Sequence, residues 1–159
     1  MKHLVNLKTL LFSGSVLLAL MLLTGCGGGS RALTVEVMGA SNLNTTSPGE
    51  GGNAARVRVY QLSNATNFRT ATPESFWQDD VAALGDELVV PPQQVVLYPN
   101  TMERIVLEPA EMARYIGVAA DLRQPAQEQW RQVYDLESLG KNKQITVQVG
   151  SDRVMIQLP

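Results

Sequence analysis

Reactive side chains are scarce in this chain of 159 residues. It holds one cysteine, Cys26, and one histidine, His3, so a nucleophile–base pair or a mixed Cys/His metal cluster has almost nothing to be built from. Adjacent acids occur at Asp79-Asp80 and Asp86-Glu87. Two carboxylates facing each other across a cleft, about 5–9.5 Å apart, could hydrolyse a glycan. Neighbouring acids on a short helix and the turn after it read instead as a solvated face. Gly49, Gly51 and Gly52 lie in a polar stretch with no strand before it and no helix after it, so they form no phosphate cradle. The residue types therefore predict no catalysis, no metal, no cofactor and no small-molecule substrate.

The setting of Cys26 gives it a different use. Lys2 and Lys8 precede an almost wholly apolar run over residues 10–23, and no acid appears before Glu36. That is the layout of an export signal. The run is shorter than the roughly 20 residues a membrane span needs. Leu23-Thr24-Gly25-Cys26, followed by Gly27, Gly28, Gly29 and Ser30, resembles the lipobox of bacterial lipoproteins. The resemblance implies removal of residues 1–25 and lipidation of Cys26, and Gly27, where an aspartate would mark inner-membrane retention, implies the periplasmic leaflet of the outer membrane. One acyl chain anchors a protein only marginally, and two or more anchor it stably.

Losing residues 1–25 leaves 134 residues, the size of one domain with one core. Losing Lys2 and Lys8 leaves 11 basic residues against 15 acidic ones, a net charge of −4. No clustered basic face remains for nucleic acid. The mature chain would also have no histidine.

Residues 26–32 are a glycine-rich tether, and residues 33–159 hold the domain. Leu33, Val35 and Val37 alternate with polar residues, which predicts a half-buried strand. A second strand follows over residues 56–62. Between them, residues 39–55 form a long polar connection broken only by Leu43. Connections of that length are usually functional or disordered.

Thr72-Pro73 suits a helix start, and Trp77, Val81, Leu84 and Leu88 fall on one stripe of a short helix. Further alternating runs cover residues 94–98, 103–108, 115–122 and 130–134. Pro99-Asn100-Thr101 predicts a hairpin between the first two of these. A terminal hairpin is predicted around Gly150-Ser151-Asp152. About eight strands with one short helical insertion predict an all-β, two-sheet antiparallel sandwich. A closed barrel is the competing architecture.

Val57-Arg58-Val59-Tyr60-Gln61-Leu62, Ser75-Phe76-Trp77, Leu97-Tyr98-Pro99-Asn100, Tyr115-Ile116-Gly117-Val118-Ala119-Ala120 and Trp130-Arg131 follow one another behind the lipobox. In that order they are similar to the TssJ family, the outer-membrane lipoproteins of type VI secretion systems. The resemblance implies a transthyretin-like sandwich without enzymatic activity that binds the periplasmic domain of the inner-membrane protein TssM. It also implies that the loop between the first two strands makes a main contact, here with Leu43 as apolar anchor and Asn42, Asn44, Thr45 and Thr46 around it. The alternative expectation is a periplasmic carrier of a lipid or small hydrophobic ligand, built as a barrel.

Overall fold

Alternation of aliphatic and polar residues builds eight strands in the computed structural model, which describes residues 32–157. They are β1 (Leu33–Gly39), β2 (Ala55–Leu62), β3 (Leu88–Leu97), β4 (Met102–Leu107), β5 (Tyr115–Ala120), β6 (Arg131–Asp135), β7 (Gln144–Val149) and β8 (Val154–Gln157). The expected leader and the anchor Cys26 lie outside the described residues.

Two four-stranded sheets result, ordered β4-β1-β7-β8 and β3-β2-β5-β6. Both are open at their edges, so the architecture is a sandwich and not the competing barrel. Every pairing is antiparallel except β1 with β7, which run parallel. Val35, Val37, Ile105, Ile145 and Val147 of the first sheet meet Val57, Val59, Leu97, Ile116 and Val118 of the second. Each such side chain contributes about 1.5–3 kcal/mol by leaving water. This interior fills the space between the sheets.

The predicted hairpin over residues 94–108 is corrected. β3 pairs with β2 and β4 pairs with β1, so residues 98–101 carry the chain from one sheet to the other. Alternation reveals a strand but not its neighbour. Gly39 makes the crossing possible: a Cβ there would lie 2.4 Å from the Tyr98 carbonyl oxygen. Gly39 N–H donates to Thr101 O, and Asn100, at φ 57°, donates to Gly39 O. Asparagine tolerates that left-handed conformation because its short side chain bonds locally.

The helical insertion also differs from expectation. It consists of α1 (Thr66–Thr70), α2 (Pro73–Gln78) and α3 (Asp80–Leu84), followed by a 3-10 turn. Thr72 caps α2 by accepting from Ser75 N–H, with Pro73 in the first turn. The predicted single stripe does not form, because Asp79 leaves helical geometry, ends α2 and caps α3 through Ala82 N–H. Val81 is consequently exposed and Leu88 belongs to β3.

Phe68, Phe76 and Leu84 pack with Trp130 over Tyr60 and Leu62 on the outer face of the second sheet. Phe76 and Trp130 lie edge to face at 4.9 Å. The two acidic pairs are not a solvated face either. Asp80 is buried and accepts from Tyr60 Oη at 2.7 Å and Arg58 at 2.8 Å. Glu87, also buried, accepts from the backbone N–H groups of Asn67 and Phe68. The helices thus cover one sheet, and among the described residues nothing covers the other.

Candidate docking loop

The connection between β1 and β2, residues 40–54, is built around one leucine and one asparagine. Leu43 is fully buried in the inter-sheet core, and its N–H donates to Ala40 O while its C=O accepts from Asn53 N–H at 2.7 Å. Asn44 takes φ 54° and donates to Gly150 O through its backbone. Its side chain donates to Ala54 O at 2.8 Å and accepts from Arg123 N–H at 2.7 Å. One residue therefore ties the loop to the segment after β5 and to the turn between β7 and β8. Gly52 closes the base: a Cβ there would sit 2.5 Å from Ser41 O and 2.6 Å from the Pro99 ring.

Glu50 organises the outer half. Its carboxylate accepts from Thr46 N–H at 2.8 Å, Thr46 Oγ1 at 3.0 Å, Asn53 Nδ2 at 3.1 Å and Arg123 at 3.0 Å. These donors, the Thr46 backbone foremost, hold its pKa down at about 2, because each stabilises the charged form. Alongside, Asp152 pairs with Arg153, whose guanidinium keeps the carboxyl below its ordinary range. Asn42, Thr46, Pro48, Gln124, Ser151 and Asp152 line a shallow polar groove of about 490 Å³.

The five residues expected to meet a partner separate into two groups. Asn42 is exposed and Thr46 is half-buried, whereas Leu43, Asn44 and Thr45 are buried. Leu43 is thus corrected from a partner's anchor to the loop's own anchor, its side chain being enclosed by the chain's core. The surface is made instead by Ser41, Asn42, Ser47, Pro48 and Gly49. Glu50 escaped the sequence reading because its four donors come from three separate stretches of chain. Thr46-x-x-x-Glu50 was the available local signal. Among the described residues no cluster of three or more His, Cys, Asp or Glu side chains is placed to hold a metal.

A two-sheet sandwich with one helix-covered face and a tied-down polar loop defines a scaffold class: a domain that presents a loop. Residues 31–152 match the family model described as type VI secretion lipoprotein, VasD, EvfM, TssJ, VC_A0113, and the chain belongs to that family. The crystal structure of the lipoprotein TssJ1 from Pseudomonas aeruginosa is 26% identical, with a TM-score of 0.70 over 80% of this chain and 96% of that one. Two more distant structures show the same fold. One is the TssM C-terminal domain structure from EAEC, 20% identical with a TM-score of 0.70, covering 80% of this chain and 98% of that chain. The other is Lip from Serratia marcescens, a membrane-bound component of the type VI secretion system, 19% identical with a TM-score of 0.69, covering 80% and 97%. No curated protein sequence matches.

Proposed function

We propose that this lipoprotein docks the periplasmic domain of TssM through the β1–β2 loop while acyl chains on Cys26 hold it in the periplasmic leaflet of the outer membrane. In this reading residues 1–25 are a cleaved signal and residues 26–32 are the tether. The observation that carries it is the direction of β1. The strand leaves the tether side at Leu33 and delivers the chain into the loop at Ala40, so attachment and docking occupy opposite ends of the sandwich. Seven residues of strand separate them by about 23 Å. The tether from Cys26 adds up to about 25 Å of reach. Membership of a type VI secretion lipoprotein family supports the choice of a partner from that apparatus.

The test uses the exposed crown and not a deletion, because removing residues 42–46 would take Leu43 and Asn44 out of the fold. Ser47→Arg combined with Pro48→Arg should weaken binding of the TssM periplasmic domain at least tenfold in a pull-down or by calorimetry, with Tm unchanged. Undiminished binding by that doubly substituted chain would remove the loop from the interface.

A further inference from the structure

The sandwich has four edge strands, and they are not equally protected. β3 carries Pro91 and Pro92 and shifts register against β2, which prevents a regular ladder on its free side. β6 and β8 are short and lie against each other across the sandwich. β4 differs from all three. Its six residues, Met102–Leu107, pair with β1 in unbroken register and contain no proline. An antiparallel ladder leaves every second residue with its N–H and C=O directed away from the neighbour, so β4 offers an uninterrupted row of donors and acceptors.

The side chains along that row say what it accepts. Met102 and Val106 are exposed on the outer face, where Arg104 between them is already paired with Glu36 at 2.6 Å. On the inner face Glu103 is half-buried beside Ile105 and Leu107, and among the described residues no cation or hydrogen-bond donor reaches its carboxylate. A partly desolvated carboxylate without a partner is costly. A second copy of this chain would not supply one. In antiparallel pairing residues of the same face meet, so central registers oppose Glu103 with Glu103, Arg104 with Arg104, or Glu103 with the other copy's Leu107. The edge is therefore guarded against itself but open to a complementary strand.

We propose that the free edge of β4 accepts an extended strand of another protein, one bearing arginine or lysine opposite Glu103 and apolar residues beside Met102 and Val106. Strand addition of this kind draws affinity from the backbone and selectivity from alternate side chains. It is a second surface, independent of the loop assigned to TssM.

Amide hydrogen exchange of the full-length chain in detergent tests it with two blocked eight-residue peptides. Both alternate valine and threonine; one has arginine and the other glutamate in place of a central valine. The arginine peptide should slow exchange across β4 and bind about fivefold more tightly than the glutamate peptide. Glu103→Lys should invert that order, and Glu103→Gln, which preserves the shape, should level it. Unchanged exchange at β4 with both peptides, or an order indifferent to both Glu103 variants, overturns the proposal. So does protection of β4 that grows with protein concentration alone, which would make the occupant a second copy. Ser47→Arg with Pro48→Arg should not alter peptide binding, so this inference and the TssM reading fail separately.

Discussion

Leu43 and Glu50 hold the loop by opposite means, one through burial and one through charge. Leu43→Ala removes a fully buried side chain and should cost about 2–5 kcal/mol, read as a lower midpoint in urea unfolding. Were Leu43 a partner's anchor, stability would stay and only binding would fall. For Glu50 the sign follows from its pKa, near 2 when folded and near 4.5 ordinarily. As pH falls the unfolded chain takes up a proton first, so the stabilisation is present above about 4.5 and is lost as pH drops from there through about 2. Hydrogen exchange of Thr46 N–H should accelerate over that window in the wild type, while in Glu50→Gln it should be fast throughout. A leucine in a polar run is readable as an exception; which way it points is not, because only the closed sandwich supplies the enclosure.

Elements show the same division. Period-two alternation located the strands, and Thr72-Pro73 located the start of α2, since both depend on neighbours in sequence. The break at Asp79 depends on a side chain choosing Ala82 N–H over solvent, and it shifts the phase of everything after it. That shift brings Asp80 beneath Arg58 and Tyr60, binding α3 to β2. Burial and the neighbouring Asp80 carboxylate push the Tyr60 phenol pKa well above its ordinary value. Asp80→Ala leaves Tyr60 Oη buried without an acceptor and should destabilise by about 1–3 kcal/mol. Near-ultraviolet circular dichroism of the Phe76–Trp130 cluster should report the loosening of the helical layer.

At the scale of the molecule, one sheet wears helices and the other is bare, while the tether side and the loop side are separated by the length of β1. That polarity suits a part that spans between a bilayer and a second protein. Cys26→Ser should abolish incorporation of labelled palmitate and release the chain from the membrane fraction with its domain still folded. A labelled Cys26→Ser chain would show that lipid is attached elsewhere.

Composition and order alone determined the absence of histidine and cysteine chemistry after residue 26, the strand count, the sandwich class and the family likeness, because each rests on residue identity or on spacing along the chain. Tertiary structure decided the rest. That β1 lies between β4 and β7, that residues 98–101 cross between sheets, that Asn44 and Glu50 gather donors from distant stretches, and that Leu43 faces inward all require segments far apart in sequence to meet. Local patterning specifies how a segment is shaped, whereas its neighbours are set by the joint closure of one core.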